Sequence, residues 1–182
     1  MIEVRWHARG GQGGFTAAKL LGLAASVFED NYAQAFPSFG PERRGAPVLG
    51  FTRIDDKPID DHSQVYERDH VVVLDETLME VVNVTNGLKN GGILLINTEA
   101  APESFKLEGN FKVVTLNATD IALKVLKAPI TNTTMMGALA AVSGIVGIES
   151  VLNAIDAGMP ENLREKNKKA VMIAYDAVRG VK

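Results

Sequence analysis

The chain has no cysteine, which excludes disulfides, thiolate-held iron–sulfur clusters and a cysteine nucleophile from its 182 residues. It also lacks a basic excess: 19 Lys and Arg stand against 22 Asp and Glu, a formal net charge of −3. Nucleic-acid and membrane surfaces select the opposite balance, so neither is expected as a partner. Long apolar runs are missing too. Met135 to Ile148 is shorter than the ~18 to 20 residues that span a bilayer, and Gly137, Ser143, Gly144 and Gly147 interrupt it, so it reads as a buried helix. Met1 leads straight into a segment carrying Glu3 and Arg5, without a basic-then-apolar leader, and a cytoplasmic location is expected. His7, His62 and His70 have no metal-ligand spacing, and no G-x-S-x-G elbow occurs. Asp55, Asp56, Asp60 and Asp61 read as solvated turn acids, so neither a catalytic residue nor a metal ligand is assigned.

What is present is ordinary globular material, with 46% apolar and 23% charged residues, and its length suits one domain spanning 1–182. Ile2 to His7 alternates as a half-buried strand and stops at a glycine cluster; Phe15 to Phe28 follows as a well-buried helix. Tyr32 to Phe36 is a second strand candidate. Val48 to Ile54 is a third, expected to fold back as a hairpin through a short return at Ile59. His70 to Leu74 is a β-branched run of the kind buried on both faces of a parallel sheet. A helix is expected over Glu76 to Val84, then strands at Ile93 to Asn97 and Phe111 to Leu116. Four helices close the chain: Ala118 to Lys127, Asn132 to Val146, Glu149 to Ala157 and Pro160 to Arg179. This order predicts an α/β fold of three layers, α/β/α, Rossmann-like, with a mostly parallel or mixed sheet covered on both sides by helices.

Three features carry candidate chemistry. Gly10, Gly11, Gln12, Gly13 and Gly14 lie where the first strand feeds a helix, a place where backbone N–H groups and the helix dipole favour an anion. The dinucleotide spacing fails, because Thr16 stands where a third glycine belongs, and the phosphate-loop lysine is absent. A ligand-free tight turn therefore competes with phosphate or pyrophosphate binding. The loop Pro37 to Pro47 holds three prolines, two glycines and the pair Arg43 and Arg44, whose guanidinium forks suit phosphate or carboxylate. Solvated loop charges are the alternative. Asn132 and Thr133 precede an apolar run, where capping by Thr131 or Asn132 explains them without a ligand.

The glycine loop, the segment Phe36-Pro37-Ser38-Phe39-Gly40-Pro41-Glu42-Arg43-Arg44-Gly45-Ala46-Pro47-Val48, and Asn132-Thr133 with Gly137 together resemble the gamma subunit of 2-oxoacid:ferredoxin oxidoreductases, and the proline-arginine segment most resembles the pyruvate branch. The resemblance covers nearly the whole chain. It implies a complex, belonging to anaerobic metabolism, in which alpha, beta and delta siblings bind thiamine diphosphate with Mg and carry [4Fe–4S] clusters. That complex makes acetyl-CoA and CO2 from pyruvate and coenzyme A while reducing ferredoxin. This chain would hold no complete cofactor site of its own; it would close the site and contact coenzyme A through Gly11, Gln12, Gly13, Arg43 and Arg44, with Gly10, Gly14, Asn132 and Thr133 as further cofactor-binding candidates. A free-standing nucleotide- or flavin-binding protein and a pure scaffold subunit are the other readings.

Overall fold

A computed structural model describes residues 1–38, 44–61, 63 and 65–180. Six strands, β1 (Ile2–Arg9), β2 (Tyr32–Pro37), β3 (Pro47–Asp55), β4 (Arg68–Val73), β5 (Leu88–Asn97) and β6 (Lys112–Leu116), form one sheet in the order β2-β3-β1-β4-β5-β6. β1, β4, β5 and β6 run parallel, while β3 is antiparallel to both β1 and β2. The sheet is thus mixed, as the sequence predicted, with its parallel half built from the β-branched runs.

Five helices accompany it: α1 (Gly14–Phe28), α2 (Ala118–Leu126), α3 (Asn132–Ser143), α4 (Ile148–Gly158) and α5 (Glu161–Val178). The two faces of the sheet are covered unequally. Val4, Trp6, Val72 and Leu95 pack with residues from all five helices in one large core. Val71, Val73, Leu94 and Ile96, pointing the other way because strand side chains alternate, pack instead with Met79, Val82, Phe105 and Leu107. Those come from two short 3-10 helices, Glu76–Glu80 and Pro102–Ser104, and the segments beside them.

Three expectations change. The hairpin is made by β2 and β3 across the proline-arginine loop, not by β3 and a return at Ile59. Both edges of β3 are already occupied, by β1 and β2, so no ladder position remains for residues 57–61. That segment is pinned by the buried Arg53 guanidinium, which donates to the carbonyls of Asp61 (2.7 Å) and Ser63 (2.9 Å).

The helix expected over Glu76 to Val84 is only the 3-10 turn Glu76–Glu80, begun by Asp75, whose carboxylate accepts from the Thr77 N–H. The β-branched Val81, Val82 and Val84 disfavour continuation. Asn83 then turns the chain, its side-chain carbonyl accepting from the amides of Thr85 and Asn86 at 3.1 Å each. α3 stops at Ser143 rather than Val146, because Gly144 takes a left-handed conformation and donates to the Ala140 carbonyl at 3.0 Å.

Two contacts anchor the helices. Trp6 Nε1 donates to Thr52 Oγ1 (3.2 Å), and that hydroxyl donates to the Ala18 carbonyl (3.0 Å), joining β1, β3 and α1. Between α3 and α5, Gly137 leaves no room for a methyl group: a Cβ there would lie 2.6 Å from the Val171 carbonyl oxygen and 3.0 Å from its Cα. Backbone on the opposing helix cannot yield as a side-chain tip can, so Gly137→Ala should lower stability by ~2 kcal/mol in urea unfolding, with an unchanged denaturant slope.

β1 also buries charge on the face away from α1. His7 is pushed down to about 3 by desolvation, then by the neighbouring Arg5 and Arg68 guanidiniums. Unfolded His7 gains its proton near 6.5. Its contribution is therefore complete above that pH and is lost as the pH falls toward 3, with a slope of at most ~1.4 kcal/mol per pH unit. His7→Gln should flatten the loss of stability between about pH 6 and 4. A residual slope belongs to His70, which burial also shifts down.

Candidate functional site

The glycine cluster sits at the carboxyl end of β1, and the chain turns there through Gly11 (φ 96) and Gly13 (φ 76), conformations that side chains other than glycine rarely adopt. Ala17 makes the first intrahelical bond, N–H to the Gly13 carbonyl at 3.1 Å, and no side chain caps α1. The amides of Gly14, Phe15 and Thr16 therefore precede the ladder, where a helix start attracts negative charge.

The end of the proline-arginine loop is fastened to this turn. Gly10 N–H donates to the Ala46 carbonyl (2.8 Å), Gly45 N–H donates to the Gly10 carbonyl (3.0 Å), and Gly10 and Arg44 form a parallel bridge. Arg44 is exposed, with its Cγ 4.0 Å from the site of a Cβ on Gly11. Arg43 lies outside the described residues. Asn132 and Thr133 reach the turn from another element: α3 starts beside it, and Asn132 Nδ2 donates to the Gly13 carbonyl at 3.3 Å. The starts of α1 and α3 thus meet at one point.

The structure gives two candidates internal tasks. The Gln12 side chain accepts from the Arg9 amide (2.7 Å) and donates to Asp75 (3.0 Å), holding the turn closed. Thr133 is fully buried, and its hydroxyl donates to Asn167 Oδ1 at 2.6 Å, tying α3 to α5. Capping of α3 follows neither simple form: Thr131 makes no cap bond, and Asn132 Oδ1 accepts from the Thr133 amide at 2.9 Å.

Arg9 and Asp75 were not singled out in the sequence, yet they organise the site. The Arg9 guanidinium donates to Asp75 (3.1 Å), Thr77 Oγ1 (2.7 Å) and the Gly45 carbonyl (3.1 Å), spanning β1, the end of β4 and the arginine loop. At Asp75, desolvation raises the pKa but is outweighed by hydrogen bonds from Thr77 and Gln12 and by Arg9, so the carboxyl sits below its ordinary value. The available signal was positional: an arginine directly before a glycine turn, and an acid closing a buried strand.

A cavity of about 520 Å³ opens beside the turn at the carboxyl ends of β4, β5 and β6, where open α/β sheets receive ligands. Asp75, Glu76 and Glu99 line it. These carboxylates repel an anion, and neither Gly11, the first residues of α1 nor Arg44 lines this cavity. Among the described residues, no group of three or more His, Asp or Glu is placed to hold a metal, and no helix is long and apolar enough to cross a membrane.

Comparison with known proteins gives the family and the fold. The pyruvate ferredoxin/flavodoxin oxidoreductase family matches residues 3–177. The chain is 52% identical over 180 residues to pyruvate synthase subunit PorC of Methanothermobacter marburgensis, covering 98% of each. It is also 52% identical over 179 residues to the pyruvate/ketoisovalerate oxidoreductases common subunit gamma of Thermococcus litoralis, covering 97% of this chain and 96% of that one. The crystal structure of pyruvate oxidoreductase subunit PORC from Thermotoga maritima superposes with a TM-score of 0.83 at 39% identity, over 96% and 95% of the two chains. A 2-oxoglutarate:ferredoxin oxidoreductase from Magnetococcus marinus shares the fold, with a TM-score of 0.74 at 13% identity over 97% of this chain and 31% of that one.

The close fit of Asn132 against Gly13 is measurable. A Cβ on Gly13 would lie 2.5 Å from Asn132 Nδ2. Gly13→Ala should cost ~2 kcal/mol in the wild-type background and ~1 kcal/mol when combined with Asn132→Ala, the remainder being left-handed backbone strain. Equal costs in both backgrounds would show that the two helix starts are not in contact.

Proposed function

This chain belongs to the pyruvate ferredoxin/flavodoxin oxidoreductase family, and from that premise we propose that its glycine turn holds the phosphates of coenzyme A inside the assembled enzyme. It is the gamma subunit of a multi-subunit pyruvate, or 2-oxoacid, ferredoxin oxidoreductase. The observation that carries the proposal is the meeting of two helix starts at a turn whose first amides have no side-chain cap, with Arg44 bridged alongside. Donors already in place cost little to order on binding. Gly10, Gly11, Gly13, Gly14, Asn132 and the arginine pair Arg43 and Arg44 form the proposed surface. Gln12 and Thr133 act within the protein, shaping the turn and fixing the α3 start.

Residues 1–182 serve in this reading as one gamma-type unit, located in the cytoplasm, that closes the active site against alpha, beta and delta siblings, with ferredoxin met through the complex. Thiamine diphosphate with Mg and the [4Fe–4S] clusters belong to those siblings. The residues of this chain do not fit either group: it has no cysteine, and no described acidic cluster is placed for a metal. No thiamine or cluster step is assigned to it.

The choice of oxoacid is also made elsewhere. At the same 52% identity the chain matches one relative named for pyruvate alone and one named as common to pyruvate and ketoisovalerate enzymes. A surface that binds the shared substrate, coenzyme A, needs no change between the two.

Calorimetry of the assembled enzyme provides the test. Arg44→Ala should weaken coenzyme A binding about tenfold, ~1.4 kcal/mol, with a shallower salt dependence and an unchanged KM for pyruvate. Arg43→Ala should act in the same direction. Unchanged affinity in both variants would leave the chain a scaffold.

A further inference from the structure

β2 is the last strand at one end of the sheet, so one of its edges has no strand beside it. Ser38 N–H donates to the Leu49 carbonyl at 2.9 Å. Continued back along the register, this puts Phe36, Gln34 and Tyr32 in the hydrogen-bonded pairs with β3. The N–H and C=O groups of Ala33 and Ala35 therefore point out of the sheet. β2 carries no charged side chain, and its pairing with β3 has no register shift, so two common obstacles to a further strand are missing.

The surface above this edge is also unfinished. α1 lies over both β2 and β3. A groove of about 520 Å³ runs between the outer flank of α1 and the edge, lined in part by Lys19, Gly22, Leu23, Ser26, Ala33 and Ala35. Phe15 at one end of α1, and Val27, Phe28 and Tyr32 at the other, are exposed, Val27 at 61% and Tyr32 at 48%. Apolar side chains gathered on one flank mark an interaction surface.

Charge and backbone together select the occupant. α1 and β2 run in opposite directions, so Lys19 stands toward the Pro37 end of the edge, while Glu29 and Asp30 stand at the Tyr32 end. A second copy of the chain laid antiparallel brings the basic end of each to the acidic end of the other. A two-fold axis at Gln34 sets Ala33 of each copy opposite Ala35 of the other, and every outward N–H and C=O of those residues then has a partner. One strand spacing between the edges holds the two α1 axes roughly 10 Å apart, a normal distance for packed helices. Gly22 and Ser26, both small, lie on that flank.

We infer that two copies of this chain pair through β2, the edge strands joining antiparallel about Gln34 and the α1 helices packing above them, so that one sheet runs through both. The contact does not rest on coenzyme A binding at the glycine turn.

The absence of cysteine makes the register directly testable. In this pairing the two Gln34 side chains face each other, about 5 Å apart at Cβ, close enough for a disulfide to form with small backbone adjustment. Gln34→Cys should give a gamma–gamma disulfide on oxidation, both in the full-length chain alone and in the assembled enzyme. Tyr32→Cys, several residues from its own copy across the axis, should not. Ala33→Pro removes an outward N–H that β3 does not use, and should weaken self-association in sedimentation equilibrium about tenfold or more with an unchanged circular dichroism spectrum. Lys19→Asp and Asp30→Lys should each weaken it, and the double variant should restore it.

No gamma–gamma disulfide from Gln34→Cys, or one formed equally by Tyr32→Cys, would overturn the proposal. So would a bond from Cys at position 34 to a sibling chain in the assembled enzyme, or a gamma–gamma bond lost on assembly, since either gives the edge to a sibling. Should Ala33→Pro fail to fold, the charge exchange decides in its place, and a double variant no tighter than the singles counts against pairing. Coenzyme A affinity of the Ala33→Pro enzyme should stay at the wild-type value, which separates failure here from failure at the glycine turn.

Discussion

One carboxylate holds the carboxyl end of the sheet together. Asp75 accepts from Arg9, from Gln12 and from both the amide and hydroxyl of Thr77, so the end of β1, the glycine turn and the entry to the 3-10 turn share one acceptor. Arg9 extends the junction to the arginine loop through the Gly45 carbonyl. Without a common acceptor, the turn would be a flexible string of glycines, and its amides would pay an ordering cost whenever a ligand arrived. With it, the α1 start is held open and the Arg44 backbone is held beside it. The ion pair is partly exposed, so its Coulomb energy counts for less than its geometry.

The two sides of the sheet have different tasks. Five helices seal one side with an apolar core, in which close contacts such as Gly137 against Val171 permit no polar intruder. The other side is covered thinly, and β1 and β3 present Glu3, Arg5, His7 and Arg53 to it, all buried. Buried charge is a poor source of stability, since removing a guanidinium from water costs more than most partners return. Within the chain Arg53 is paired with Glu3, Arg5 and Arg68 lie on backbone carbonyls, and Arg5 Nε and His7 Nε2 have no hydrogen-bond partner.

Much of this was legible before any coordinates. The parallel strands were, because a strand buried on both faces needs a continuous β-branched run, as in His70 to Leu74. The glycine turn feeding α1 was, because four glycines in five residues exceed what a connection requires. The hairpin was not: alternation marks Val48 to Ile54 as a strand but is silent on which neighbours take its edges. The short helix after Asp75 failed as a helix because Asn83 and three valines outweighed a weak apolar pattern. Gln12 and Thr133 read as ligand contacts because sequence shows a polar side chain next to a site and not the bond that already uses it.

Local chemistry, then, was determined by the sequence alone: where the chain turns, which segments are apolar enough to be buried, and that no cysteine-borne chemistry resides here. Those properties depend on neighbours along the chain, through backbone conformation and side-chain periodicity. The tertiary structure decided the rest: that Arg9 meets Asp75 from 66 residues away, that the α3 start abuts Gly13 from 119 residues away, and that Arg5 and His7 share a cavity wall with Leu49. Contacts of that span depend on how strands order themselves in the sheet, and the ordering is set by packing summed over the whole chain, which no local pattern encodes.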